Sequence, residues 1–393
     1  VSENRILQFQ MSGRLVMGVG AVAQLGQVVE RLGGGTVLVV TDPGLVQAGI
    51  CLQVTQKLDD AKISWRLYDK VEPDPRIEIV NDCLEVAKAG ACDILIGLGG
   101  GSSLDITKVV SVMLTNGGKV SDYVGIDKIP RRGLPMILIP TTAGTGSEVT
   151  PIAVLSDKAE QLKKGLVSDK LYADVALIDP QLSISLPARV TAFTGMDALT
   201  HAIEVYTNKF ADPFIDVFAL EATRLIAIHL RTAVHEGSNI EARSAMSTAS
   251  LLGGLGLGAV NTAAVHALAY PLGGEFNVPH GVANSLLLPY VMEFNLPAAP
   301  ERFAKLAQMM GEDISGLSAM DAGKKAVDAV ARLSADIGIV SSMQELGIPE
   351  SSIEGMAHAA MKVTRLLNNN PRELSVDDAR MIYQKAYNGI QKK

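Results

Sequence analysis

Asp93-Ile-Leu-Ile-Gly-Leu-Gly-Gly-Gly-Ser-Ser-Leu-Asp-Ile-Thr-Lys108 is the stretch on which the fold turns. Its opening, Asp93 to Gly97, is apolar on both faces, the mark of a strand buried in a parallel sheet. Gly99, Gly100 and Gly101 follow, and glycines placed after a strand let backbone N–H groups approach a phosphate with no Cβ in the way. Ser102 or Ser103 is expected to cap the next helix, whose N-terminal amides and dipole suit a pyrophosphate. The pattern is neither GxGxxG nor a P-loop, since Lys108 stands well beyond the last glycine.

Working outward, Gly35 to Thr41 and Ile63 to Tyr68 read as further strands, and Leu134 to Pro140 as another. Between them, Ile77, Val80, Cys83, Leu84 and Ala87 repeat at the spacing of one helix face. Strands alternating with helices imply an α/β domain with a covered parallel sheet. From Thr150 to about Asp179, including Val175 to Asp179, extended segments are expected as antiparallel or edge pieces. Past Leu186 the rhythm becomes helical: 190–210, 213–232, 241–255, 300–310, 319–337 and 376–391. The boundary is therefore placed near residue 185, with an α/β domain over 1–185 and an all-α domain over 186–393.

The 393 residues suit two domains, and 48% hydrophobic against 20% charged residues suits a sizeable core. A net charge of −7 gives no basic footprint for nucleic acid and argues against anionic membranes. The first residues lack a signal-peptide apolar core, and no run of about 18 apolar residues is present. Three cysteines, Cys51, Cys83 and Cys92, without metal-site spacing read as reduced thiols, so the cytoplasm is the expected compartment.

Two further features carry chemistry. Asp42 ends a strand, where a carboxylate suits an adenosine ribose and repels a 2′-phosphate, favouring NAD over NADP; the same residue before Pro43 also suits a simple turn. In Gly195-Met-Asp-Ala-Leu-Thr-His201, Asp197 and His201 stand four apart, on one helix face. His266 and His280 complete a set of one carboxylate and three imidazoles, drawn from only six histidines in the chain. Such a mixed oxygen and nitrogen set suits Fe²⁺, Zn²⁺ or Mn²⁺, and lacks the thiolates of a structural zinc site. A cation there would act as a Lewis acid on an alcohol or carbonyl oxygen.

These motifs together, Gly99 to Lys108, Pro140 to Thr150, Gly195 to His201 and His266 to Gly281, resemble the iron-containing (group III) alcohol dehydrogenase family over essentially the whole chain. The resemblance implies an N-terminal Rossmann-like domain and an all-α C-terminal domain, the arrangement shared with dehydroquinate synthases, with the active site in the cleft between them. It implies metal ligation by Asp197, His201, His266 and His280, with Fe²⁺ as the metal and Zn²⁺ as the alternative. It implies NAD contacts from Asp42, the glycine run, Thr141, Thr142, Ser147, Thr150, Lys164 and Leu182, with Asp105 near the nicotinamide. The implied substrates are small alcohols or aldehydes, and the implied assembly is a homodimer or larger homo-oligomer.

Two positions depart from the family pattern. Tyr270 stands where a second histidine is common, and Leu257-Gly-Ala259 replaces a Phe-x-Asn segment, which implies a roomier pocket. Tyr270 offers a hydrogen bond but is a poor base at neutral pH. A maleylacetate-reductase-like or hydroxyacid–oxoacid enzyme is the nearest alternative. A sugar-phosphate cyclase or lyase on the same architecture would need basic residues around the ligands, and the sequence surrounding them is apolar and nearly free of such residues.

Overall fold

The computed structural model describes residues 6–157 and 162–389. The chain divides into two compact units, one spanning Gln10–Leu186 and the other running from Pro187 onward and taking in the chain up to Phe9.

The first unit is built on a six-stranded sheet. Its strands are β1 (Arg14–Met17), β2 (Thr36–Val40), β3 (Ser64–Tyr68), β4 (Ile94–Gly99), β6 (Met136–Pro140) and β9 (Val175–Ile178), in the spatial order β1-β9-β6-β4-β2-β3. All the pairings in this sheet are parallel. Alternation along each strand divides the core into two layers. Leu38, Val40, Leu95 and Leu138 face one, while Val37, Val39, Ile94, Ile96 and Ile139 face the other. That is why the central strands read as unbroken apolar runs. A separate three-stranded sheet holds β5 (Gly125–Ile126), β7 (Ile152–Asp157) and β8 (Leu162–Val167), with β7 and β8 antiparallel.

The expected strands and the helix at 77–88 are present, the helix as Ile77–Ala89. The antiparallel expectation for 150–179 holds for β7 and β8 and fails for Val175–Ile178. β9 is parallel and interior, paired with β1 on one side and β6 on the other. The N-terminal β1 was not anticipated, because only one of its residues is buried and no alternation marks it.

The order of strands creates a switch point. From β2 the chain moves outward to β3, then returns to the opposite side of β2 as β4. Segments leaving the carboxyl ends of β2 and β4 therefore diverge and open a crevice, the place where such sheets bind ligands. Asp42 follows β2 and Gly99–Ser102 follows β4, so both fall at this crevice.

The second unit is helical among the described residues. Its longer helices are Ala188–Thr207, Pro213–His235, Ile240–Val260, Ala264–Phe276, His280–Asn295, Pro300–Met309, Ala319–Asp336 and Val376–Asn388. The expected last helix ran to 391, and its end lies outside the described residues. No single described helix is long and apolar enough to cross a membrane. Ile240–Val260 and Ala264–Phe276 pass that test only together, across a bend of 101°. Glycines let the helices approach closely: a Cβ on Gly195 would lie 2.3 Å from a Leu230 methyl, and one on Gly256 2.7 Å from Val205.

Candidate metal centre and dinucleotide loop

Three helices deliver the candidate ligands. Along Ala188–Thr207, residues Asp197, His201 and Glu204 recur at intervals of four and three, so one buried face carries all of them. Asn208, just after this helix, donates through Nδ2 to the carbonyls of Val260 and Asn261 at 3.1 Å each, bracing the turn before the next helix. Asn261 sits there with φ 65°. Helix Ala264–Phe276 then presents His266. Helix His280–Asn295 starts at His280, after Pro279, and carries Asn284 one turn further along.

The side chains converge. His201 and His266 stack with ring centroids 4.8 Å apart and Nε2 atoms 3.0 Å apart. Asp197 Oδ1 lies 4.0 Å from His201 Nε2 and 3.8 Å from each Nε2 of His266 and His280. The Asn284 Nδ2 amide lies 2.7 Å from Asp197 Oδ1 and 3.1 Å from Nε2 of both His266 and His280, while Asn284 Oδ1 is buried with no hydrogen-bond partner among the described residues. Glu204 Oε2 accepts from His266 Nδ1 at 2.6 Å, and Glu204 Oε1 accepts from the Val265 amide, also at 2.6 Å.

This arrangement fits a divalent cation. Bonds of about 2.0–2.1 Å in tetrahedral geometry need donor atoms roughly 3.3–3.4 Å apart, and separations of 3.0 to 4.0 Å bracket that value. The Nδ1–H to Glu204 contact fixes the His266 tautomer, leaving its Nε2 lone pair toward the other donors. Burial raises the Asp197 pKa, but the imidazoles of His201, His280 and His266 and the Asn284 amide outweigh it, and the carboxyl is held below its usual range. His266 is pushed well below its ordinary value by burial, and by His201 and His280 beside it. Burial pushes Glu204 up to about 7, against the amides of Ala263 and Val265.

Two expected outcomes follow from these contacts. Glu204→Gln keeps the shape but loses the carboxylate behind His266, and metal affinity is expected to fall about 10–100-fold. Competition with a fluorescent chelator measures this, and unchanged affinity would remove Glu204 from the metal's support. Gly281→Ala places a Cβ 2.6 Å from the Phe193 carbonyl oxygen, a backbone atom that cannot swing aside. Because Gly281 adjoins His280, a stability loss of about 1–3 kcal/mol is expected together with weaker metal binding. Denaturant midpoints and metal titration read the two effects separately.

The glycine run also has a defined geometry. Gly99 has φ +150°, and a Cβ there would lie 2.6 Å from Ser103 Oγ. A Cβ on Gly101 would meet Thr145 at 2.8 Å. The helix is Gly101–Asn116 and its N-cap is Gly100, with no side-chain cap. The expectation that Ser102 or Ser103 caps it is therefore corrected: both lie in the first turn, and the leading amides stay uncapped for an anion. Asp42 Oδ1 accepts from Leu45 N at 3.1 Å, capping a short helix, while Asp42 Oδ2 lies 3.4 Å from where a Gly99 Cβ would stand. The turn role and the position beside the glycine run are both realised.

Other expected contacts fall in different settings. Thr141 donates its amide to Gly99 O at 3.0 Å, and Thr142 approaches Gly100, with Oγ1 3.5 Å from its constructed Cβ. Ser147 and Thr150 belong to a buried network around Lys108. Its Nζ donates to Ser147 Oγ at 2.8 Å, Thr150 Oγ1 at 3.3 Å and Ile152 O at 2.7 Å, and lies 3.8 Å from Asp105. Asp105 accepts from Ser147 Oγ at 2.7 Å and from the Val154 amide at 2.9 Å. Both its oxygens are thus engaged inside the protein. Burial lowers Lys108 to about 8 against the charges of Asp105 and Glu148, and burial raises Asp105. Lys164 lies on β8, 3.9 Å from Asp157. Leu182 is buried in the sheet core with Leu25, Leu98 and Ile139.

Sequence reasoning missed Glu204, Asn284 and Arg365. Glu204 and Asn284 carried a signal, since each follows a candidate ligand by three or four residues on the same helix. Arg365 carried none. Its charge acts on His266 and on Tyr270, one basic group in surroundings otherwise as apolar as the sequence suggested.

Comparison with known proteins agrees with this geometry. The family profile described as iron-containing alcohol dehydrogenase matches residues 12–180, and that of the Fe-containing alcohol dehydrogenase family, C-terminal, matches residues 191–387. The chain is 44% identical over 376 residues, 95% of each chain, to long-chain-alcohol dehydrogenase 1 of Geobacillus thermodenitrificans. It superposes on a crystal structure of 1,3-propanediol oxidoreductase with a TM-score of 0.95 and 41% identity, covering 98% of this chain and 100% of that one. A sulfoacetaldehyde reductase from Bifidobacterium kashiwanohense, solved in complex with NAD⁺, gives a TM-score of 0.87 at 30% identity, covering 97% and 98% of the two chains.

Proposed function

The chain belongs to the iron-containing alcohol dehydrogenase family, and on that premise we propose that it interconverts small alcohols and aldehydes with NAD(H), using one Fe²⁺ held by Asp197, His201, His266 and His280. The observation that carries this reading is the convergence of Asp197, His201 and His266, backed by Glu204, with His280 Nε2 3.8 Å from the Asp197 carboxylate. When bound, the cation polarises the substrate oxygen, which lowers the pKa of an alcohol and activates a carbonyl toward hydride.

The protein's own groups do the rest. Asp197 supplies the negative charge of the ligand set, and Glu204 fixes the His266 tautomer. The uncapped amides at Gly101 and Ser102, with Gly99 and Gly100, hold the pyrophosphate, and Thr141 and Thr142 line the same loop. Asp42 accepts from the adenosine ribose. Asp105 serves as a positioning residue: through Ser147 and the Val154 amide it ties the glycine-loop helix to the segment after β6. Ser147 and Thr150 act through that network, and Lys164 and Leu182 shape the surrounding scaffold. Burial raises the Tyr270 phenol, so it stays protonated and donates a hydrogen bond. In this reading residues 1–185 bind the dinucleotide, residues 186–393 bind the metal, and the protein works in the cytoplasm as a homo-oligomer.

The test is anaerobic loading with Fe²⁺, metal analysis, and loss of NADH absorbance with a panel of aldehydes. About one iron per chain is expected, with activity that disappears on chelation. Full activity in metal-free protein overturns the reading. The cofactor preference has its own test in Asp42→Ser, which keeps a helix-capping oxygen and removes the charge. Discrimination against NADP is expected to narrow about tenfold, roughly 1.4 kcal/mol. Unchanged discrimination means that Asp42 does not face the ribose.

A further inference from the structure

The metal-bearing face of helix Ala264–Phe276 extends beyond His266. Tyr270 follows one turn later on the same face, with about 5–6 Å between Cβ atoms at that spacing. The short helix Thr364–Leu367 packs against this helix, anchored by buried Leu366, and brings Arg365 to the same place. The guanidinium charge acts on both the Tyr270 phenol and His266.

Arg365 is only partly provided for. Its Nη1 is buried and has no hydrogen-bond partner among the described residues. The neighbouring carboxylates are committed elsewhere. Both Glu204 oxygens are taken by Val265 and His266, and Asp197 Oδ1 faces the imidazoles and the Asn284 amide. A charged donor withdrawn from water without an acceptor is costly, and a carboxylate or sulfonate oxygen is the acceptor that matches a guanidinium best.

Resting on the proposed function above, we infer that Arg365 makes this a dehydrogenase for anionic substrates, alcohols and aldehydes that carry a carboxylate or sulfonate a few carbons from the reacting carbon. A cation held by Asp197, His201, His266 and His280 would take the oxygen end of such a substrate, and the Arg365 N–H groups would take the anionic end. One helical turn between His266 and Tyr270 is a span that a chain of about three or four carbons bridges. Charge-assisted pairing in a half-buried site discriminates against a neutral chain, because the neutral substrate leaves the buried N–H unpaired.

The experiment compares aldehydes matched in length, using the iron-loaded enzyme and NADH: 4-oxobutanoate and 3-oxopropane-1-sulfonate against butanal. The wild type is expected to favour the anionic aldehydes in kcat/KM by about 10–100-fold. The two anionic arms decide between carboxylate and sulfonate. In Arg365→Gln that ratio is expected to collapse toward one, and Arg365→Lys is expected to fall between, keeping the charge but losing the planar fork. A purely structural role would lower all rates together and leave the ratio in place. Calorimetric titration with 4-hydroxybutanoate gives a readout without turnover, with affinity expected to weaken about tenfold in Arg365→Gln. If the variant does not fold, the wild-type ratio decides alone. A wild type that prefers butanal, or a ratio unmoved in both folded variants, overturns the inference and leaves the proposed function standing. A wild type that reduces none of the aldehydes defeats both.

Discussion

His266→Ala is expected to cost on the order of a thousandfold or more in kcat and to empty the metal centre, while dinucleotide affinity stays within about twofold. Three physical losses act at once. The variant removes a donor whose Nε2 lies 3.0 Å from His201 and 3.8 Å from Asp197. It removes the partner that Glu204 holds at 2.6 Å, leaving a buried carboxylate oxygen to find another. It also removes one member of the stacked imidazole pair with His201. The glycine run and Asp42 belong to the other compact unit, so NAD binding has no reason to follow. Elemental analysis and calorimetric NAD titration on the same preparation check this. A variant that retains its iron and more than about a tenth of its rate would refute the assigned role of His266.

Lys108→Met is expected to destabilise the chain by about 3–5 kcal/mol, because it strips a buried carboxylate of its counter-charge. Lys108 is fully buried, and its three hydrogen bonds join the glycine-loop helix to Ser147, Thr150 and Ile152. Without it, Asp105 is left buried with its main counter-charge gone, and the segment after β6 loses its tie to the dinucleotide loop. Weaker NAD binding should accompany the lost stability. Adding Asp105→Asn to Lys108→Met is expected to recover part of the stability, since the unpaired charge is then gone. Chemical denaturation of the single and double variants supplies the comparison. An unchanged midpoint in Lys108→Met would show that the network carries no net stabilisation.

Much of the architecture could be read from local pattern. Thr36–Val40 and Ile94–Gly99 are apolar at almost every position because both faces of their sheet are covered, and a strand of that kind announces itself. Asp197 and His201 share a helix face by spacing alone. What escaped was set by partners distant in sequence. Val175–Ile178 is interior only because Arg14–Met17 comes to lie beside it, and that N-terminal strand is half exposed and unpatterned. Gly100, rather than a serine, takes the cap because the backbone turns into the helix two or three residues earlier than a serine-capped start would require. The resemblance placed Asp105 near the nicotinamide and gave no sign of its partners, Ser147 and the Val154 amide, which come from beyond β6 and take both its oxygens. Arg365 lies about a hundred residues beyond His266, and no periodicity links the two.

The Asn284 amide has a consequence for how the protein comes to hold its ion. Its Nδ2 donates to Asp197 and lies 3.1 Å from Nε2 of both His266 and His280, so one amide group touches three of the four candidate ligands. The cage is thereby pre-assembled, and an incoming ion need only displace one neutral group instead of ordering a loose set of side chains. If the proposed iron binds there, loading is expected to be governed by ion supply and entry rather than by refolding.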